Sequence, residues 1–209
     1  MPVESGPRRE LYAGLRAELP ILLGVAPFGM IYGALARASG LPTTTAQAMS
    51  AIVFAGSAQF IAVQLIAAGA PVIVLLMTTL IVNIRHLLYS ASVAPYLREL
   101  RPAWKWLLAY LLTDEAYAVA ILHYQQTDDA VHDRGPTDVE AAPTVSAHPI
   151  AEPTLPHDPS LTVSPRHPVT PSPRHRVTVS PQRHWYFLGA GLALWATWQM
   201  STAVGIFLA

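Results

Sequence analysis

Five apolar runs lie along the chain, at residues 19–38, 46–68, 72–93, 103–123 and 185–209. Each is about 20 residues long, the length of helix that crosses a hydrocarbon core of roughly 30 Å. The pattern predicts an all-α polytopic membrane helix bundle of about five transmembrane segments. The chain divides accordingly. Residues 1–17 form a polar lead, residues 18–124 a transmembrane core of four spans, residues 125–184 an insertion, and residues 185–209 a fifth span. The lead carries Arg8, Arg9 and Arg16. By the excess of Lys and Arg on cytoplasmic loops, it is expected on the cytoplasmic side. An N-terminus inside would place the 94–104 loop outside, yet Arg98, Arg101 and Lys105 cluster there. The charge rule conflicts with itself unless one apolar run is re-entrant.

Polar residues inside the runs carry the information about function. The first run contains Pro27, with Gly24, Gly29 and Gly33 around it. Pro removes a helix hydrogen bond, so this span is either a broken helix that exposes backbone groups to a substrate or a kinked helix packed closely through its small residues. The second run holds Ser50, Ser57, Gln59 and Gln64. Ser50 and Ser57 are seven residues apart and share a helix face. Ser50 reads as a contact between helices, whereas Gln59, beside Gly56 and Ser57, is a candidate for contact with a polar substrate.

The third run ends in Asn83-Ile84-Arg85-His86-Leu87-Leu88-Tyr89. No turn signal releases these residues into water. An ionisable side chain at the centre of a span costs about 2.5–3.5 kcal/mol on insertion scales and marks a pathway or a paired site. Asn83 and His86 share one face, Arg85 and Tyr89 another. The fourth run carries Thr113-Asp114-Glu115 near its middle. Two carboxylates there need a cation, and Arg85 is the one available, with His86 as a proton-dependent second. A buried pair of Arg85 with Asp114 or with Glu115 is therefore expected.

The segment 125–184 differs in kind. Eleven of the nineteen prolines and six of the eight histidines fall in it, together with near-repeats such as Val163-Ser164-Pro165-Arg166-His167. Without apolar periodicity it reads as a disordered insertion. Its histidines are too widely spaced to form a metal site.

Charge and composition narrow the classes further. Net charge is zero and the basic residues are scattered, which gives no nucleic-acid signature. With no cysteine, disulfides, zinc-thiolate sites and iron–sulfur clusters are excluded. No phosphate-cradling Gly-Lys-Ser/Thr loop exists, and no cofactor or metal is predicted. Ser57, His86 and Asp114 supply the residue types of a hydrolytic triad, but Gly56-Ser57-Ala58 lacks the second glycine of a nucleophile elbow. The remaining class is transport. Pro27, Gly29, Ser57, Gln59, Asn83 and His86 are then candidates for the substrate path, and Arg85, Asp114 and Glu115 for a buried charge pair that carries or gates a proton.

Four motifs in order complete the picture: Gly24-Val25-Ala26-Pro27-Phe28-Gly29, then Phe54-Ala55-Gly56-Ser57-Ala58-Gln59-Phe60, then Val82-Asn83-Ile84-Arg85-His86-Leu87-Leu88-Tyr89, then Leu112-Thr113-Asp114-Glu115-Ala116-Tyr117. This succession resembles the AzlC family, the large subunit of bacterial branched-chain amino acid exporters. The resemblance covers about residues 14–123 and, more loosely, 185–205. It implies a multi-pass transporter of the bacterial inner membrane, not an enzyme. Such a transporter exports valine, leucine and isoleucine, with methionine a further candidate, and works with a small AzlD-type membrane subunit. Coupling to protons is compatible with it. Ser90 stands where the family has glycine, and the 125–184 insertion stands where it has a short connection. The family continues into further spans beyond Gly205, so the end at Ala209 reads as a truncation. Two other readings compete with export: a scaffolding membrane protein that only binds a partner, and an intramembrane hydrolase.

Overall fold

The computed structural model describes residues 6–132 and 182–209, and every regular element among them is an α-helix. The elements are α1 (Pro7–Ala38), α2 (Thr43–Val53), α3 (Gly56–Ala67), α4 (Val72–Asn83), α5 (Arg85–Leu97), α6 (Pro102–Tyr110), α7 (Asp114–His132) and α8 (Arg183–Leu208). The protein is a helical membrane bundle whose helices are interrupted, as the apolar pattern predicts.

Helices α1 and α8 form its spine. They pack most extensively of all pairs and run parallel, because Gly14 faces Tyr186 and Ala190 near one end while Gly33 faces Thr202 and Ile206 near the other. Glycine makes this closeness possible. A Cβ on Gly14 would overlap the Tyr186 carbonyl, one on Gly189 the Leu11 carbonyl, and one on Gly205 the Met30 carbonyl. In hydrocarbon no water is released by association, so van der Waals contact between smooth backbones is what holds such a pair.

Three segments traverse the bundle: α1, the α4–α5 pair as one 26-residue run, and α8. The other two apolar runs turn back at mid-depth. Helix α2 starts beside the C-terminal part of α1, where Tyr32 Oη donates to the Ala46 carbonyl, and ends at Phe54. Helix α3 starts against Trp198 and returns along α1, its Phe60 ring meeting Phe28 and Tyr32. Helix α6 starts at the opposite end, where Trp104 packs on His184 and Trp185. Its last residue, Tyr110, receives the Trp195 indole N–H at mid-depth. Helix α7 runs back until His123 stacks on Tyr186 and Tyr124 packs on Tyr96. With 11 and 12 residues, α2 and α3 are each about half the length a crossing requires.

This path removes the conflict in the charge rule. The start of α1, the end of α5 and the start of α6 share one end of the bundle, so Arg8, Arg9 and Arg16 lie on the same side as Arg98, Arg101 and Lys105. The chain lacks cysteine, so single cysteines report sidedness cleanly. Arg9→Cys and Arg98→Cys are expected to react with an impermeant maleimide from one face of the membrane, and Ser39→Cys and Ala70→Cys from the other. Labelling of positions 9 and 98 from opposite faces would rule out the re-entrant arrangement.

The structure decides between the two readings of the Pro27 span: α1 runs unbroken through Pro20 and Pro27, and Gly29 and Gly33 pack on α8. The loss of one hydrogen bond at each proline is tolerated along a helix held by its contact with α8. The breaks fall instead at Phe54-Ala55, Ile84 and Leu111-Leu112-Thr113. The polar lead is helical from Pro7. The 125–184 segment is helical at both edges, through His132 and from Arg183, and its remainder lies outside the described residues.

Lipid-facing surface is plain on α4, none of whose residues is buried. Val72, Ile73, Leu76, Leu80 and Ile81 are all exposed. In water such a stripe would be a liability, whereas in hydrocarbon it is the required surface.

Candidate functional site

The three helix breaks meet around one cavity of about 300 Å³. Phe54, Ala55, Gly56 and Ser57 come from the first break, Arg85 and His86 from the second, and Thr113, Asp114 and Glu115 from the third. Val25 and Phe28 of α1, Phe60 of α3, and Leu194 and Trp198 of α8 complete the wall. The cavity is thus apolar on one side and charged on the other.

Each break has its own local cause. Phe54 closes α2 in the left-handed conformation, at φ 41°. That region disfavours a large side chain by roughly 1–2 kcal/mol, so the surrounding packing must hold it. Phe54 is buried and packs on Tyr110, whose hydroxyl donates to the Ala51 carbonyl. At Ile84 the backbone stays helical, but the hydrogen bonds tighten to i→i−3, from Ile84 N to the Ile81 carbonyl and from Leu87 N to the Ile84 carbonyl. The freed Asn83 carbonyl accepts from His86 Nδ1 at 3.0 Å. At the third break Thr113 caps α7, its Oγ1 accepting from Ala116 N at 3.3 Å. Asp114 and Glu115 occupy the first turn of α7, where the helix dipole favours negative charge. The first turn of α3 carries no acid, and the N–H groups of Gly56, Ser57 and Ala58 have no acceptor within the helix.

Arg85 ties the breaks together. Its Nη1 lies 2.7 Å from Asp114 Oδ2, and its Nη2 donates to Ser57 Oγ at 2.6 Å. The side chains of Arg85 and Asp114 are 34% and 37% exposed, which places the pair at the cavity wall rather than in the core. Arg85 Nε and Asp114 Oδ1 are buried and unpartnered. Unused donors and acceptors beside a cavity are binding capacity.

The residues singled out in the sequence divide into two groups. Ser57, His86, Arg85, Asp114 and Glu115 come together at the cavity. Of the two open pairings, Arg85 takes Asp114. The other four lie off the wall. Pro27 is exposed on the outer face of α1. Gly29 packs on Ser201, which makes it a helix-contact glycine. Gln59 is 0% exposed beside Tyr32, and neither amide atom has a well-formed hydrogen bond. Asn83 contributes its backbone carbonyl to His86, and its side-chain oxygen is buried without a partner. The break at Phe54 takes Ser50 and Ser57 off a common face. Ser50 Oγ bonds Thr202 Oγ1 at 3.1 Å and ties α2 to α8. No hydrolytic relay is assembled, because Ser57 and Asp114 both engage Arg85 while His86 engages Asn83.

Several site residues escaped sequence reasoning. Phe28, Phe60 and Trp198 form the aromatic wall, and Tyr32 stacks behind Trp198 at 6.2 Å. They look like any apolar span residue until the fold turns them to one cavity. Glu18 is different. It is a carboxylate at the head of an apolar run, fully buried, with neither oxygen partnered. That signal was present in the sequence.

The arrangement defines a helical membrane protein with a polar site at the meeting point of interrupted helices. The chain belongs to the AzlC family: residues 20–146 match the family described as AzlC protein. It is 30% identical to the inner membrane protein YgaZ of Escherichia coli strain K12 over 108 residues, covering 51% of this chain and 44% of that protein. It is 34% identical to an uncharacterized membrane protein of Helicobacter pylori, covering 50% of this chain and 46% of the relative. An uncharacterized membrane protein of Archaeoglobus fulgidus is 30% identical, with coverage of 52% and 47%. The chain thus spans about half the length of the curated relatives it matches. No solved structure matches it.

Proposed function

We propose that the chain supplies the substrate-binding core of a multi-pass exporter of branched-chain amino acids in the bacterial inner membrane. One observation carries this reading: a single cavity of about 300 Å³ offers the three chemistries that such a zwitterion requires. Arg85 and the free N–H groups opening α3 suit a carboxylate. Glu115, which also lines the cavity, suits an ammonium group. Val25, Phe28, Phe54, Phe60, Leu194 and Trp198 suit a branched apolar side chain. Half-helices whose N-termini point at an anionic substrate group are a recurrent device of secondary transporters. A small AzlD-type subunit completes the assembly in this proposal.

The test is export from cells. Expression of the chain with such a subunit is expected to lower intracellular leucine and isoleucine pools after feeding with their dipeptides, and to confer resistance to toxic branched-chain analogues. Equal pools with and without the chain would overturn the proposal. A chain that bound the subunit but no isoleucine would be the scaffold instead.

A further inference from the structure

Helices α1 and α7 face one another in antiparallel register. Glu10 Oε2 of α1 lies 3.5 Å from His123 Nε2 of α7. Eight residues further along α1 is Glu18, and eight residues back along α7 is Glu115. The register brings Glu18 to the level of Glu115, which lines the cavity. The two helices thus carry two rungs in one register, a Glu–His rung at the basic end of the bundle and a Glu–Glu rung beside the cavity.

The second rung cannot carry two negative charges. Glu18 is 0% exposed, and both its carboxylate oxygens lack a hydrogen-bond partner. An unpaired ionised carboxylate in that position is far costlier than a neutral carboxylic acid, and a second carboxylate beside it raises the cost again. Among the described residues, no cation is paired with it. Helices α2 and α3, which also pack on α1, contain no ionisable residue. Helix α8 presents Tyr186 and, towards the other rung, Arg183 beside His123. Helix α7 presents Glu115 and, at the other rung, His123 engaged with Glu10. On α1 itself Arg16 is exposed.

We propose that Glu18 is a proton-binding site that exchanges its proton against the substrate's ammonium group through Glu115. This rests on the amino acid reading of the cavity. Glu115 lines the cavity and Glu18 does not. With no substrate in the cavity, the proton is held on the buried Glu18. An ammonium group paired with Glu115 cancels the field that opposes ionisation of Glu18. The carboxylic O–H then breaks heterolytically, the carboxylate keeps the electron pair, and the proton leaves to solvent water. Substrate and proton therefore compete, which is the requirement for antiport. The Glu10–His123 rung lies between Glu18 and the basic end of the bundle, so the titratable groups line up toward that side.

The experiment uses the purified full chain in lipid nanodiscs with isoleucine as the probe. Proton release into a lightly buffered solution is measured together with binding. Wild type is expected to release about one proton per isoleucine and to lose affinity about tenfold per pH unit under acid conditions. Glu18→Gln, which mimics the neutral acid, is expected to bind isoleucine without release and without that pH dependence. Glu99→Gln, at an exposed site, is expected to behave as wild type. If the amide variant does not fold, Glu18→Met removes the polar atoms at similar volume and gives the same reading. Release from Glu18→Gln equal to wild type, or wild-type binding without release, would overturn the proposal. If wild type binds no isoleucine, the amino acid reading fails. The Glu18 site is then decided by infrared spectroscopy at neutral pH: a protonated carboxylic acid band that vanishes in Glu18→Gln supports it, and absence of the band in wild type overturns it.

Discussion

Arg85→Gln is expected to weaken isoleucine binding by roughly 10–100-fold, the equivalent of losing a charge-assisted hydrogen bond of about 1.5–3 kcal/mol. The guanidinium is the group at which two of the three breaks are bonded, reaching Asp114 through Nη1 and Ser57 through Nη2 from the break at Ile84. Glutamine removes both the charge and the fork. Asp114 is then left without a counter-ion, and its negative charge faces an incoming carboxylate. Arg85→Lys is expected to fall between the two, since it keeps the charge but as a point donor that cannot hold Ser57 and Asp114 together. Asp114 left unpaired carries a stability cost of its own, so binding is read only on protein shown to be folded. Isothermal titration with isoleucine, beside a thermal melt, separates the two effects. Wild-type affinity in a folded Arg85→Gln protein would remove Arg85 from the binding site.

Gly205→Leu is expected to give the largest loss of stability among the substitutions considered. A Cβ at Gly205 would overlap the Met30 carbonyl, and its other neighbours there are also Met30 backbone. Backbone cannot rotate away as a side chain can, so α1 and α8 must separate along the spine of the bundle. Overpacking of this kind costs roughly 1–3 kcal/mol, with the upper end expected where backbone is the obstacle. Gly24→Ala is the matched control. Nothing lies within 4 Å of a Cβ at Gly24, and alanine in a helix interior is better than glycine by about 1 kcal/mol. Thermal unfolding in one detergent should therefore move in opposite directions for the two variants. A Gly205→Leu protein as stable as wild type would show that the α1–α8 contact is looser than described.

The helical class was legible because a bilayer allows few options. Apolar runs about 20 residues long must satisfy their backbone internally, and helix is how a single run does so. The presence of a charge pair was legible for a related reason: Arg85 and two carboxylates within apolar runs need one another. The choice of Asp114 over Glu115 was not legible, since it depends on how the break at residues 111–113 orients the first turn of α7. The re-entrant paths were also hidden. A run of 23 apolar residues reads the same whether it crosses once or folds in half, and Phe54, the residue that halves the second run, is a poor candidate for left-handed backbone by its own preferences. At Pro27 the sequence left a broken and a closely packed helix both open, and the fold took the second. The local preference of proline to break a helix is outweighed by contact with α8 along the whole of α1.

What the sequence determined by itself is therefore what local energetics and the solvent dictate: helices, their approximate lengths, membrane placement, and the need for Arg85 to find a carboxylate. Tertiary structure alone decided which interruptions are real, which runs turn back, and which side chains share a cavity. It also decided that Glu18 is buried without a hydrogen-bond partner, on a helix that faces α7. Those outcomes depend on contacts between helices far apart in the chain, chiefly the glycine-lined approach of α1 to α8, and no local pattern encodes the register in which distant helices meet.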